Sequence, residues 1–494
     1  MSTAQLDTTD AAPLEHTDLS EVERILNSQR EAQLSEGNPS VATRRDRVSR
    51  LAVLLLDNIE EIGKALSDDY GNRPYQLTRA FEGTAWVADH LSALADLESW
   101  VQPTEVPGGY IKPQPKGVVG VIGTWNFPVI LSFDPVMGAL AAGNRVMLSF
   151  TEFHPRTARL LSGLIEEVFD ETEFAIVAGD LQTVKEFSTL PFDHIFFTGS
   201  PTVGSIVAQN AAKNLAPVTL ELGGKNPVIV ARNADLELAA HRVAGTRALN
   251  AGQICLCPDY VFVPRELRDE FVEGLRREFT ASFPDYLNNP GVVSIVDDRN
   301  FDRVVGLLDD AVSKGATKIT VAPDDELASL PNRERRLVPP TILLDVPAHA
   351  RLASEEIFGP IIAVYAYDDI DEAIKYVAER PHPLGAYWYG QEDADFRRFL
   401  DNTLSGGVTL NDGISHAFVP GAPFGGVGHS GHGAYHGKAS FTTFSHYRTV
   451  MTAAAEQGVS DGLLGRAVLD EDLNTAVKAG IAESAAKFRE FLAD

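Results

Sequence analysis

Hydrophobic residues in the first hundred positions recur every three or four residues, the spacing of one face of an α-helix. A helix is expected to begin after Asp18, because Asp18 and Glu21 have the spacing of an N-terminal capping box before Val22. A longer run predicts one continuous core-facing helix and consists of Val48, Leu51, Leu55, Ile59, Ile62 and Leu66.

The pattern changes after Lys116, where short apolar runs of strand length alternate with helical patterns such as 156–169. A second series of this kind runs from Tyr260 to about residue 406. Strands that alternate with helices pair in parallel, so the pattern predicts an α/β fold with helices on both sheet faces. The predicted strands are 117–123, 145–148, 174–177, 192–197, 218–222, 228–230, 261–263, 319–321 and 361–365.

Three segments fall outside this alternation. Residues 1–17 are polar and predict a flexible leader. Residues 101–116 contain four prolines, which favours a linker or an edge ribbon. The acidic tail, 451–494, predicts an amphipathic helix that packs on its own subunit or on a neighbour, with a regulatory or membrane role as the alternative. Its apolar positions are Leu473, Val477, Ile481, Ala485, Phe488 and Leu492.

The acidic composition of the chain argues against some classes of function. The chain has 42 Lys and Arg against 69 Asp and Glu, a net charge of −27, which argues against binding to nucleic acid or an anionic membrane surface. Its two cysteines are too few for a disulfide framework or a Cys-rich zinc module. The N-terminus lacks the basic and apolar regions of a signal peptide, and a cytoplasmic protein is expected.

Cys255 is a candidate nucleophile. It follows Gly252-Gln253 in a predicted loop before an apolar strand, and reactive groups often lie on such loops. The thiolate is the reactive form, so Cys255 needs help from its surroundings to ionise. The alternative is a small buried side chain, which is also the simpler interpretation of Cys257. A reversible disulfide between the two thiols is the sharper hypothesis for Cys257.

Two further residues carry groups suited to acyl chemistry. Glu221 ends an apolar strand before two glycines, where partial burial would suit a general base. Its alternative is a salt bridge to Lys225. Asn126 follows a buried strand, where a side-chain amide can stabilise an oxyanion. Its alternative is a hydrogen bond within its own turn.

Two other segments suggest ligand sites. Gly199-Ser200 links a strand to a helix that contains Gly204, and exposed N–H groups at a helix start can hold a phosphate. His429, His432 and His436 lie in a glycine-rich segment, but no carboxylate lies among them and no metal site is expected.

Together these segments make the chain resemble the aldehyde dehydrogenase superfamily from about residue 20 to 450. The motif at 426–450 is similar to the class 3 and coniferyl-aldehyde dehydrogenase branch. The matching stretches are GVVGVIGTWNFP (117–128), FFTGSPTVG (196–204), VTLELGGKNP (218–227), GQIC (252–255), EEIFGP (355–360) and PFGGVGHSG (423–431).

The resemblance implies oxidation of an aldehyde to a carboxylic acid. It assigns Cys255 as the nucleophile that forms a thiohemiacetal and then a thioester, and Asn126 as the oxyanion donor. Glu221 is implied to activate the water that hydrolyses the thioester. The rival interpretations are a CoA-acylating dehydrogenase, a reductase of acyl phosphates or thioesters, and a non-catalytic homologue.

The resemblance also implies an NAD cofactor, with NADP as the alternative. Where relatives have a lysine for the adenosine ribose, this chain has Ser149, which argues against strong NADP selectivity. The implied cofactor-binding residues are Trp125, Glu152, Gly199, Ser200, Gly204, Glu356 and Phe358.

The implied architecture is a Rossmann-type nucleotide-binding domain (18–100 and 116–220), an α/β catalytic domain (221–432) and a bridging β-ribbon (101–115 and 433–450). The resemblance further implies a homodimer or homotetramer that acts on a small aldehyde.

Overall fold

The computed structural model describes residues 12–453, 460 and 469–492. The described chain divides into two units. The larger comprises residues up to 100 and 114–446, and the smaller comprises 101–113 and the described residues from 447 onward. Within the described residues, no helix is long and apolar enough to cross a membrane.

Helices account for much of the described chain. The helices are α1 (Leu19–Glu36), α2 (Val41–Asp57), α3 (Ile59–Tyr70), α4 (Tyr75–Leu77), α5 (Val87–Trp100), α6 (Ile130–Ala141), α7 (Pro155–Val168), α8 (Leu181–Phe187), α9 (Pro201–Lys213), α10 (Leu236–Ala248), α11 (Arg268–Ser282), α12 (Asp298–Ser313), α13 (Arg351–Ser354), α14 (Ile370–Ala378), α15 (Ala394–Asn402), α16 (Gly437–Thr443) and α17 (Glu471–Glu490).

The N-terminal helices follow the hydrophobic pattern with one correction. Asp18 caps α1 by accepting a hydrogen bond from the Ser20 N–H at 2.8 Å. The run predicted as one helix is two, because Asn58 lies between α2 and α3 and donates its side-chain amide to the Leu54 carbonyl. Such a bond from a side chain to the backbone competes with the helical ladder.

The first sheet of the larger unit has the order β15-β7-β6-β3-β4-β5. Its five longer strands are parallel, and β15 pairs antiparallel with β7, with Gly431 opposite Glu221. The strands are β3 (Val118–Ile122), β4 (Arg145–Phe150), β5 (Phe174–Ala178), β6 (His194–Gly199), β7 (Val218–Leu222) and β15 (Gly431–His432).

The second sheet has seven strands in the order β10-β11-β12-β9-β8-β13-β14 and is parallel except for β10. Its central strands are buried on both faces, as expected for a parallel sheet under helices. Its strands are β8 (Asn226–Val230), β9 (Pro258–Pro264), β10 (Thr317–Thr320), β11 (Thr341–Leu344), β12 (Ile361–Tyr367), β13 (Gly385–Tyr389) and β14 (Gly407–Leu410). The predicted α/β class is therefore confirmed.

The smaller unit contains most of a three-stranded ribbon, in which β1 and β2 are antiparallel, and α17. The ribbon has the order β1-β2-β16 and consists of β1 (Thr104–Val106), β2 (Gly109–Pro115) and β16 (Ser445–Met451). Asp470 caps α17 by accepting from the Leu473 N–H. The apolar side chains of α17 that we predicted as a buried face, including Val477 and Ile481, are exposed in the single chain.

The two ends of the chain are described only in part. Residues 1–11 of the expected leader lie outside the described residues, whereas Thr17 donates its N–H to Thr183 at 3.0 Å. Within 433–450, residues 437–443 form α16 in the larger unit and 445–451 form β16.

Candidate active site

The strand order of the first sheet reverses between β3 and β6. Ile122 at the end of β3 lies beside Phe197 of β6, and the next residues on each strand lead into loops. In open parallel sheets, ligands bind at this switch point, outside the carboxyl ends of the strands. The loops that leave β3 and β6 contain Asn126 and Ser200, so two sequence motifs meet at one edge.

The Asn126 side chain reaches the segment that carries Cys255. Asn126 is buried in the loop before α6, and its Nδ2 donates to the Gln253 carbonyl at 3.2 Å. Its Oδ1 accepts from the Thr124 hydroxyl at 3.3 Å, so the bond within its own turn is also present. The amide thus joins the β3 loop to the cysteine loop.

Cys255 lies in a tight loop at the amino end of β9. The loop follows Asn250 and Ala251, which have φ of 50° and 52°. Asn226 at the start of β8 donates to the Cys255 carbonyl at 2.7 Å and to the Cys257 carbonyl at 3.0 Å. The backbone around the thiol is therefore fixed by a side chain of the neighbouring strand.

The thiol of Cys255 is held in its protonated form. Burial raises its pKa to about 12, and the negative charges of Glu356 and Glu221 add to the effect. Cys257 is also free and is buried, with its Sγ 3.5 Å from the Thr246 carbonyl that it faces. Only Cys255 is partly exposed to solvent.

Glu221 is a buried carboxyl group without a cation. Its side chain is 4% exposed, and neither oxygen has a hydrogen-bond partner among the described residues. Burial raises its pKa well above the usual range. The alternative salt bridge to Lys225 is wrong, because Lys225 instead pairs with Asp259. A buried carboxyl without a hydrogen-bond partner lowers the stability of the fold. Such groups are typical of functional sites.

The Lys225–Asp259 pair supports the loop that carries Glu356. Lys225 donates to the carbonyls of Leu352 at 2.8 Å and Glu355 at 3.0 Å. Asp259 accepts from the Ile357 N–H at 2.9 Å. Lys225 is therefore engaged by Asp259 and two backbone carbonyls, and it makes no salt bridge with Glu221.

The segment of Glu356 and Phe358 contacts two other parts of the chain, one through each side chain. The Glu356 carboxyl lies against the backbone of Gly223, where an added Cβ would stand 2.2 Å from Oε2. Burial raises the pKa of Glu356 to about 8, although a hydrogen bond from the Gly224 N–H opposes the shift. The Phe358 and Trp125 rings meet edge to face at 5.3 Å. Two separate motifs therefore form one wall.

Ser200 caps α9, and its hydroxyl accepts from the Val203 N–H at 3.4 Å. Ser200 itself is exposed at the end of β6, next to Gly199. Gly204 faces the sheet, where an added Cβ would stand 2.6 Å from a Leu222 methyl carbon. The absence of a side chain at Gly204 therefore lets α9 lie close to β7.

The carboxyl ends of β4 and β6 carry polar groups without protein partners. The hydroxyls of Ser149 and Thr198 are buried and have no hydrogen-bond partner among the described residues. Glu152 follows β4, and burial raises its pKa. Together with the start of α9, these hydroxyls and this carboxyl fit the polar ribose and phosphate groups of a dinucleotide.

A buried ion pair supports the Asn126 loop and was not predicted from the sequence. Arg73 and Glu82 are fully buried and lie 2.8 Å apart. Glu82 accepts from the Val129 N–H at 2.6 Å, three residues after Asn126. Arg73 also approaches Asn250 at 3.4 Å, and Asn250 donates to the Asn126 carbonyl at 3.1 Å. The pair thus braces both loops of the site.

No group of three or more His, Cys, Asp or Glu among the described residues could hold a metal ion. The site is built from one thiol, buried carboxyl groups and an amide.

Known proteins share this sequence and fold. The profile of the Aldehyde dehydrogenase family matches residues 5–450. Coniferyl aldehyde dehydrogenase of a Pseudomonas species is 43% identical over 432 residues, covering 86% of this chain and 89% of that protein. The mouse dimeric NADP-preferring aldehyde dehydrogenase is 37% identical, covering 88% of this chain and 95% of its own.

A solved structure shows the same architecture. A mutant of aldehyde dehydrogenase C from Pseudomonas syringae, in complex with NAD⁺ and octanal, matches with a TM-score of 0.80 and 27% identity. The match covers 90% of this chain and 91% of that one. The resemblance of the motifs is thereby confirmed, and the chain belongs to the aldehyde dehydrogenase family.

Proposed function

We propose that this aldehyde dehydrogenase oxidises an aryl aldehyde to its carboxylic acid through a cysteine thioester, with NAD as the hydride acceptor. The observation that carries the proposal is the meeting of the Asn126 amide with the Cys255 loop. The unpartnered Glu221 carboxyl lies close enough to raise the Cys255 pKa. The relative named for coniferyl aldehyde supports an aromatic substrate.

The first step is attack of the Cys255 sulfur on the aldehyde carbon. A thiol with a raised pKa must lose its proton first, and a nearby positive charge would lower that pKa. The new C–S bond turns the carbonyl oxygen into an oxyanion. The Asn126 amide and the Cys255 backbone N–H donate to this oxyanion, which stabilises the thiohemiacetal.

When bound, NAD would supply the acceptor for the hydride whose loss turns the thiohemiacetal into a thioester. Ser200 and the Thr202 N–H, which follows Pro201 at the start of α9, would hold the pyrophosphate, and Glu152 would hold the adenosine ribose. Glu356 would hold the nicotinamide ribose, and Trp125 and Phe358 would contact the nucleotide. Gly199 would lie at the turn that leads to the phosphate, and Gly204 would contribute through the close packing of α9 on β7.

Glu221 completes the cycle as a general base. Its carboxylate would take a proton from water, which then attacks the thioester and releases the acid and the Cys255 thiol. A raised pKa matches this role, since a better base takes the proton more readily. No other described group hydrogen-bonds the carboxyl, so it is free to turn toward the water.

The test of the function is a panel of aliphatic and aryl aldehydes with NAD and with NADP, read by nicotinamide absorbance and by product mass. We expect an acid from aryl aldehydes without added CoA. We also expect NAD to be preferred, because Glu152 repels a 2′-phosphate and Ser149 gives it no cation. Absence of reduced cofactor with every aldehyde, or dependence on CoA, would contradict the proposal.

Asn126→Ala should lower kcat by about 10²- to 10³-fold, because one oxyanion donor is lost. The effect should fall on kcat more than on KM, since the bond forms chiefly in the transition state. Stopped-flow measurement of acylation tests the expectation. Asn402→Ala, at the exposed end of α15, is the matched control. An Asn126→Ala enzyme that acylates at the normal rate would remove Asn126 from the mechanism.

A further inference from the structure

Two buried side chains outside the residues assigned to the reaction hold the backbone of the Asn126 loop. Tyr70 is the last residue of α3, and its hydroxyl donates to the carbonyls of Trp125 at 2.9 Å and Asn126 at 3.1 Å. His154 directly precedes α7, and its Nε2 is 2.7 Å from the same Trp125 carbonyl. Both side chains therefore converge on the backbone that carries the Asn126 amide.

The protonation of both side chains suits donation to a carbonyl. A carbonyl oxygen only accepts hydrogen bonds, so the Nε2 of His154 carries the proton of the neutral ring. Burial lowers the pKa of His154 to about 4, so the ring is neutral at neutral pH. Burial also raises the pKa of Tyr70 above its usual range, so its hydroxyl keeps the proton that it donates. Both donors are therefore present under the conditions in which the enzyme is assayed.

The Tyr70 and His154 rings form one stacked unit. Their centroids are 4.9 Å apart, and their planes differ by 21°. Both residues are 0% exposed, and the Arg73 guanidinium lies 5.4 Å from the centre of the Tyr70 ring. Packing of this kind locks the rotamers of both side chains. The two donors therefore stand in fixed places against the loop.

The two carbonyls that accept these bonds belong to the peptide units on either side of the Asn126 Cα. A peptide unit is planar, so two neighbouring units can turn relative to each other only about the φ and ψ of the residue that joins them. Hydrogen bonds to the Trp125 and Asn126 carbonyls therefore restrain both angles of Asn126. The Cα–Cβ bond of Asn126, from which its amide extends, is thereby held in one direction.

The Asn126 loop has another attachment, which joins it to the cysteine loop. Asn250 donates its side-chain amide to the Asn126 carbonyl at 3.1 Å and to the Gln253 carbonyl at 3.2 Å. The Nδ2 of Asn126 donates to the same Gln253 carbonyl at 3.2 Å. Asn250 thus sets the distance between the two loops, whereas Tyr70 and His154 anchor the Asn126 loop to α3 and to the start of α7.

We propose that Tyr70 and His154 are positioning residues, which aim the Asn126 amide at the oxyanion by holding the peptide units on either side of it. The inference rests on the proposed function, in which Asn126 is an oxyanion donor. Neither side chain needs to touch the substrate or the cofactor. Since a misplacement of about 1 Å can cost about 10²-fold in rate, the loss of either donor should reach the reaction through Asn126.

The first test removes one donor at a time and measures acylation by stopped flow. Tyr70→Phe keeps the stacked ring and loses the hydroxyl, and it should slow acylation by roughly tenfold, the effect of one hydrogen bond. KM for the aldehyde and Kd for NAD should change by less than about twofold, since the oxyanion forms after both have bound. His154→Leu should also slow acylation, and His154→Gln, which restores an N–H donor, should recover part of the rate. Tyr75→Phe, at an exposed tyrosine of α4, is the matched control and should acylate normally.

The second test is a double-variant cycle, which separates positioning from a general loss of structure. If Tyr70 acts through Asn126, Tyr70→Phe should slow acylation in the unaltered enzyme and leave the rate of the Asn126→Ala enzyme unchanged. Thermal unfolding reports whether each variant folds, and the same cycle with His154→Leu decides if Tyr70→Phe does not fold. An equal loss in both backgrounds overturns the inference. So does normal acylation by the folded Tyr70 and His154 variants beside a slow Asn126→Ala, and this result leaves the proposed function intact. A normal rate for Asn126→Ala itself instead overturns the role of Asn126 in the proposed function.

Discussion

Replacing Cys255 with alanine is expected to abolish aldehyde oxidation, with kcat falling by about 10⁴- to 10⁶-fold, as when another nucleophilic enzyme loses its nucleophile. The reason is chemical: without the sulfur, no thiohemiacetal forms and no hydride can leave. Reduced cofactor should be absent both in the steady state and in a single turnover. The cofactor should still bind, since the proposed ribose and phosphate contacts are made by other residues. Quenching of tryptophan fluorescence by added NAD measures that binding.

Cys257→Ala is the matched control, because it removes the only other thiol, two residues away. Cys257 is buried and faces a backbone carbonyl, so its loss should lower stability slightly and leave turnover in place. The unaltered enzyme tests the disulfide hypothesis, and the two variants, which keep one cysteine each, are its controls. Mild peroxide followed by mass spectrometry should show no intramolecular disulfide if Cys257 is only a packed side chain. Turnover retained by Cys255→Ala would overturn the nucleophile assignment.

The sequence predicted most of the sheets because parallel strands buried on both faces leave a local signal. Apolar runs at 118–122 and 228–230 are visible without any knowledge of their partners. The joint between α2 and α3 was missed because Asn58 ends the helix through one side-chain bond inside an otherwise regular pattern. The spacing of hydrophobic residues gives no information about such a hydrogen bond.

The candidate site also contains residues that a local sequence motif identifies and residues that it does not. Cys255, Glu221 and Asn126 could be named as candidates because each lies in a distinctive local motif that resembles those of the family. The partner of Lys225 was not found, since Asp259 is 34 positions away in the chain. The Arg73–Glu82 pair also lacks a sequence signal, because its value comes from burial and from loops that meet only in the folded chain. Ion pairs between distant segments are set by the topology, which the local pattern does not contain.

Glu221→Gln is expected to separate the two halves of the reaction. Attack by Cys255 and loss of the hydride do not require the carboxylate as a base toward water, so a rapid burst of reduced cofactor should appear. Hydrolysis of the thioester should then slow by about 10²- to 10⁴-fold, the usual contribution of a general base. Rapid-mixing absorbance measures the burst, and mass spectrometry of quenched enzyme should show the acyl group on Cys255. Glu266→Gln, an exposed carboxyl that pairs with Arg232, is the matched control and should show no burst.

The raised pKa of Glu221 adds a pH dependence that the variant should lack. The base must be ionised, so hydrolysis in the unaltered enzyme should rise with pH through a value well above 4.5. The stability of the folded state should change with pH in the opposite direction to the rate of hydrolysis. The folded state binds this proton more tightly than the unfolded state, so the contribution of Glu221 to stability is greatest below about 4.5 and declines as the pH rises through the raised pKa.

Glutamine carries no charge at any pH, so thermal unfolding should show Glu221→Gln gaining stability relative to the unaltered enzyme between acidic and neutral pH. The pH dependence of hydrolysis and the pH dependence of stability therefore both test whether the pKa of Glu221 is raised, as expected for a buried carboxyl with no partner in the described structure. A variant with normal steady-state turnover would remove Glu221 as the base. A variant whose stability relative to the unaltered enzyme is the same at both pH values would show that the carboxyl is not held in its neutral form by burial.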